Sequence, residues 1–149
     1  MPIERRRIQA EYRAGKRFLA MFMEKYPLLG RIAYLSKGEV KKIYVRTLFV
    51  DSMPEKEILD FAGVVGGLIS QQEGVEVLLI PEEPITTLEL TTDEEMKSIQ
   101  QKISDFVQVL SKLRLFSDQT AQQQKEQYLA RLKAYYDAQL KYLLKPNNV

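Results

Sequence analysis

The stretch KKIYVRTLFVDSMPEKEILDFAGVVGGLISQQEGVEVLLIP, residues 41–81, decides the fold class. Its first ten residues are rich in aromatic and β-branched side chains, as a half-buried strand requires. Ile43, Val45, Thr47 and Phe49 fall on one face of that strand, and Tyr44, Arg46, Leu48 and Val50 on the other. DSMPEKE then reads as a helix start. Ser52 is followed three residues later by Glu55, the pattern of a capping box, and Pro54 suits the first turn. The helix is expected to run to about Gln72 and to stop at Gly74. VEVLLIP, residues 75–81, is a short, mostly buried strand. A strand, a helix and a strand with short links predict a parallel pair joined by a right-handed crossover.

Working outward, RIAYLS (residues 31–36) supplies a partner for the first strand. KGEV, with a tight turn at Lys37-Gly38, closes a β-hairpin. Upstream, residues 3–26 read as a helix. Ile8, Tyr12, Gly15, Leu19, Phe22 and Tyr26 recur at alternating spacings of four and three, and Pro27 and Gly30 end the pattern. Downstream, TTLEL (residues 86–90) alternates as an edge strand would, isolated by Pro81 and Pro84.

Thr92 and Glu95 open a second capping box. Met96, Ile99, Ile103, Phe106, Leu110 and Leu113 then recur at three and four, which predicts a helix to about Phe116. Ser117 or Asp118 would cap a last helix running to Lys145, before Pro146. That helix carries two stripes: Leu129, Leu132, Tyr136, Leu140 and Leu143 as its packing seam, and Tyr128, Tyr135 and Tyr142 at the margin. The expected fold is therefore α+β: an N-terminal helix, a small mixed β-sheet with a β-hairpin and one strand–helix–strand crossover, and a C-terminal antiparallel helical hairpin. We read it as a single domain over residues 1–149, with the α/β part in 1–91, the hairpin in 92–145 and a tail in 146–149.

Composition narrows the chemistry. At 45% hydrophobic and 28% charged residues the chain is of the globular class rather than the disordered one. It contains no Cys, no His and no Trp. Disulfides, thiol chemistry, Cys/His zinc sites and imidazole bases are thereby excluded. No apolar run is long enough to span a membrane, and neither a secretory leader nor a lipidation motif is read at the N-terminus, so a cytoplasmic location is expected.

The net charge of +2 conceals a steep asymmetry: +8 over residues 1–48, −11 over 49–96 and +5 over 97–149. The basic ends are thus candidates to meet the acidic middle. Arg5, Arg6, Arg13, Lys16 and Arg17 form an arc beside the apolar stripe of the first helix, and Lys41 and Lys42, with Lys37 and Arg46, would extend it along the hairpin. An array of that kind neutralises several phosphates together, and Tyr34 and Tyr44, if they face outward, would stack on unpaired bases. Set against this are the absence of a nucleic-acid-binding motif and an isoelectric point of 8.7. A membrane-surface role for the same helix is less economical, because its apolar stripe is needed for a core.

The glycines of AGVVGGLIS lie inside a helix and no Lys follows them, so we read them as a packing surface rather than a phosphate loop. Asp51 with Glu82 and Glu83 would suit a hard cation, but helix capping and solvated turns account for the same residues. Asp93, Glu94 and Glu95 complement a helix dipole. The expectation is a non-enzymatic interaction, assembly or regulatory module without cofactor or metal, pairing as a homodimer through its C-terminal helices at Tyr128, Tyr135 and Tyr142. A nucleic-acid-binding protein is the alternative, and a small divalent-metal-dependent enzyme around Asp51, Glu82 and Glu83 is a third reading.

Overall fold

The computed structural model describes residues 3–83 and 88–145, with side chains from residue 9 onward. It is an α+β structure: α1 (Ile3–Lys25), α2 (Pro27–Ile32), β1 (Tyr34–Lys37), β2 (Lys42–Thr47), α3 (Glu55–Glu73), β3 (Glu76–Pro81), α4 (Asp93–Leu113) and α5 (Gln119–Leu144). The chain divides into two compact units, Met1–Glu82 and Glu83–Val149.

In the first unit the strands lie in the order β1-β2-β3. β1 pairs antiparallel with β2, Leu35 opposite Val45, and β2 pairs parallel with β3, Ile43 opposite Val77. The mixed sheet, the hairpin and the strand–helix–strand unit are those expected. Ile43, Val45 and Thr47 are buried on one face of β2, as the alternation requires. Against that face stand Ala14, Phe18 and Phe22 of α1 and Ile58, Val65 and Ile69 of α3. Phe18 stacks on Phe22 with ring centroids 5.4 Å apart.

Glycines set two of the close approaches. A Cβ at Gly15 would lie 2.8 Å from Leu35 Cδ2, so α1 rests almost directly on β1. A Cβ at Gly66 would lie 2.7 Å from the Val77 carbonyl oxygen, so α3 rests on the backbone of β3. The packing role expected for AGVVGGLIS is carried by Gly66; Gly63 and Gly67 face open space.

Several local expectations are corrected. α1 ends at Lys25, just before Pro27 as expected, but Pro27 also opens a short α2, where its missing N–H costs nothing, and Gly30 lies inside α2. Arg31 and Ile32 therefore belong to α2, and β1 begins only at Tyr34. The hairpin turn lies beyond Lys37-Gly38, where Lys42 N–H donates to Glu39 O at 3.0 Å and Lys41 takes a left-handed φ of 62°. α3 is not capped by a Ser52 box: its N-cap is Pro54, without a side-chain cap bond. A turn with Met53 N–H on Val50 O occupies residues 50–53, which removes Ser52 from the capping position. Of the expected edge strand, Leu88, Glu89 and Leu90 take no strand structure, and Thr86 and Thr87 lie outside the described residues, as does the tail 146–149.

The second unit is the helical hairpin. Thr92 caps α4, its hydroxyl accepting from Glu95 N–H at 3.1 Å. The return arm differs from an ordinary capping box: the Glu95 carboxylate accepts from the Thr91 hydroxyl at 2.7 Å and the Thr92 hydroxyl at 3.2 Å. Met96, Ile99, Ile103, Phe106 and Leu113 are buried along α4, as their spacing predicts. Asp118 is the N-cap of α5, without a side-chain cap bond, and Lys125 Nζ donates to Phe116 O at 2.7 Å across the turn.

Candidate functional site

The side of α5 that meets α4 reverses the expected arrangement. Tyr128 is fully buried, edge-on to Phe106 at 5.0 Å, and Tyr135 packs on the same ring at 5.4 Å. Tyr142 is half-buried and its hydroxyl donates to the Asp93 carboxylate. The tyrosines therefore form part of the hairpin core, together with Ala121 and Ala138. Most of the stripe expected in that core points away from it: Leu129 is 48% exposed, Tyr136 45%, Leu140 55% and Leu143 64%. Leu132 alone of that stripe packs, partly buried, on the hairpin core.

The physical reason lies in a second repeat. Ala121, Gln124, Tyr128, Arg131, Tyr135, Ala138 and Tyr142 alternate at three and four, the spacing that meets the matching repeat of α4. Its polar members hide it from a hydrophobicity count. Gln124 and Arg131 are buried, and Arg131 donates to Glu83 O at 2.8 Å and Gln127 Oε1 at 3.2 Å. Small alanines admit the large tyrosine rings, and the rings find Phe106. What remains on the outer side is an apolar stripe, ending in Leu143 and Leu144. The signal was available in the sequence as that unbroken three-four spacing through polar residues.

The charged groups of the first unit are partly answered within it. Arg13, Lys16 and Arg17 are exposed on α1. Arg17 Nη1 lies 3.0 Å from Glu73 Oε2, and its Nη2 donates to Gln72 Oε1, both in the last turn of α3. Lys42 Nζ lies 3.7 Å from Glu76 and 3.9 Å from Glu39. Buried Glu11 accepts from Lys41 N–H at 2.9 Å. The side chains of Arg5 and Arg6 lie outside the described residues. In the second unit Lys145 Nζ lies 3.7 Å from Glu89. Basic residues from both ends thus meet the acidic middle, through Arg17–Glu73, Lys42–Glu76 and Lys145–Glu89.

Tyr44 and Arg46 share the sheet face turned from α1 and α3, with the Arg46 guanidinium 5.7 Å from the Tyr44 ring centre. Tyr34 donates its hydroxyl to Glu82. Both tyrosines are half-buried. Among the described residues no group of three or more carboxylates is placed to hold a metal ion, and no helix is long and apolar enough to cross a membrane. A smaller apolar patch is exposed on α3, where Leu59, Val64 and Leu68 flank Gly63 and Gly67.

Comparison of the chain with protein-family models, curated proteins and solved structures gave no match.

Proposed function

We propose that this chain is a non-enzymatic assembly or regulatory module that pairs with a second copy of itself through the outer face of α5. One observation carries the reading: Leu129, Tyr136, Leu140 and Leu143 stand on the exposed side of a helix whose inner side is already packed. A surface helix that keeps its apolar stripe toward water after filling its own core gains from a partner. Two hairpins meeting along such stripes make a four-helix bundle, and a two-fold axis lets one stripe serve both copies. The interface thus moves from the tyrosine side of α5 to the leucine side, and a cytoplasmic setting belongs to the same proposal.

The nucleic-acid reading has weaker support. Arg13 and Lys16 are exposed, but Arg17 and Lys42 are engaged by acids of the same unit. Light scattering on the eluting protein tests the two readings together with a salt titration against labelled single-stranded RNA. Self-association that is lost in Leu140→Glu, with no RNA binding, is the expected result. A monomer that binds RNA with a steep salt slope would overturn it.

A further inference from the structure

The charges bordering the α5 stripe carry directional information. At about 100° per residue, Glu126, Lys133 and Asp137 follow one border of the stripe formed by Leu129, Tyr136 and Leu140, and Lys141 lies about 40° further round the helix on the same side. All four are exposed. Read from the N-terminal end, their charges run minus, plus, minus, plus. Read from the C-terminal end they run plus, minus, plus, minus. The border is therefore complementary to its own reverse.

In an antiparallel helix pair related by a two-fold axis, each border faces the same border of the partner, run backwards. In a parallel pair it faces the opposite border instead. Here the opposite border carries Lys125, Leu132 and Gln139, with no acid. Only the antiparallel arrangement gives every one of the four charges an opposite neighbour.

Resting on the proposed self-pairing, we infer that two copies of α5 dock antiparallel, with Glu126 beside the partner's Lys141 and Lys133 beside the partner's Asp137. The same register sets Leu129 against the partner's Leu140, so the apolar layers and the charge pairs agree to within about 3 Å along the axis. Like charges in a wrong register or a parallel pairing are disfavoured, so the pattern selects orientation more than it adds affinity.

The absence of native cysteine makes the test clean. Leu129→Cys and Leu140→Cys chains are purified separately, their self-association under reducing conditions is measured, and they are oxidised alone and as a mixture. The antiparallel register predicts cross-linking in the mixture, with little in either chain alone, since a disulfide needs its Cβ atoms within about 4.5 Å. A dimer that links Leu129→Cys to itself, or that links in no combination, overturns the orientation and leaves the self-pairing standing. A chain that is monomeric at every concentration overturns both. Charge exchange supplies a second readout. Lys133→Glu is expected to weaken the dimer about tenfold, and Lys133→Glu with Asp137→Lys is expected to restore it. Equal weakening by the double variant contradicts the pairing.

Discussion

The backbone N–H of Lys41 donates to the carboxylate of Glu11 across 2.9 Å, tying the hairpin turn to α1. Glu11 is 7% exposed, and Lys41 holds a left-handed backbone. One of the two acids in the strongly cationic segment 4–18 is thus a structural acceptor rather than a solvated charge. Bonds of this kind to a charged acceptor contribute about 2 kcal/mol, and leaving the partner unsatisfied is costly. Glu11→Ala is expected to lower the unfolding free energy by about 2 kcal/mol, and Glu11→Gln, which keeps an acceptor, by about half as much. Urea titration measures both.

The three glycines of α3 separate by what surrounds them. Gly63 and Gly67 have nothing within 4 Å of an added Cβ, whereas at Gly66 the Cβ would meet the Val77 carbonyl oxygen at 2.7 Å. Alanine at position 63 or 67 is expected to raise stability by up to about 1 kcal/mol each, the helix-propensity difference. Gly66→Ala must push α3 from β3 and is expected to lower stability by about 1–3 kcal/mol. Thermal unfolding of the three single variants checks the opposite signs.

Tyr142 and Asp93 couple the end of α5 to the start of α4. The hydrogen bond to Asp93 holds the Tyr142 phenol above its usual range, aided by partial burial and by the charges of Asp93 and Glu95. Because the folded form holds this proton more tightly, the contribution is complete below the unfolded value of about 10 and is lost as pH rises through the folded value. Phenolate absorbance is expected to show Tyr142 ionising later than an exposed tyrosine, and Asp93→Asn should move its midpoint down.

Much of the architecture follows from short-range pattern. The alternation of Ile43, Val45 and Thr47, the three-four spacing of Met96 to Leu113 and the Thr92 cap each specify their element locally. Two kinds of feature escaped that logic. Turn and cap positions depended on neighbours remote in sequence, as when Glu11 captures the Lys41 amide, or on a competing local turn, as at residues 50–53. The facing of α5 depended on fit, because Phe106 of α4 accepts Tyr128 and Tyr135 while Arg131 satisfies itself on Glu83 O and Gln127. Hydrophobicity alone ranks the leucine stripe above the tyrosine one and so assigns the inner face to the wrong side. The same reversal turns the candidate interface from Tyr128, Tyr135 and Tyr142 to Leu129, Tyr136 and Leu140.

The inner and outer faces of α5 should answer to substitution in opposite ways. Tyr128→Ala removes a fully buried ring and is expected to cost about 3–5 kcal/mol. Tyr135→Glu would place a charge beside Phe106 and should also melt the hairpin. Leu140→Glu sits on the outside and should leave the melting temperature of the isolated subunit nearly unchanged.

Sedimentation equilibrium of the unmodified chain beside Leu140→Glu is the most direct test, with thermal unfolding of both as the control for folding. The chain mass is 17.3 kDa. Twice that mass is expected for the unmodified chain, and the single-chain mass for a Leu140→Glu variant that remains folded. A single-chain mass for the unmodified protein at every concentration, or a dimer indifferent to Leu140→Glu, would contradict the proposed pairing.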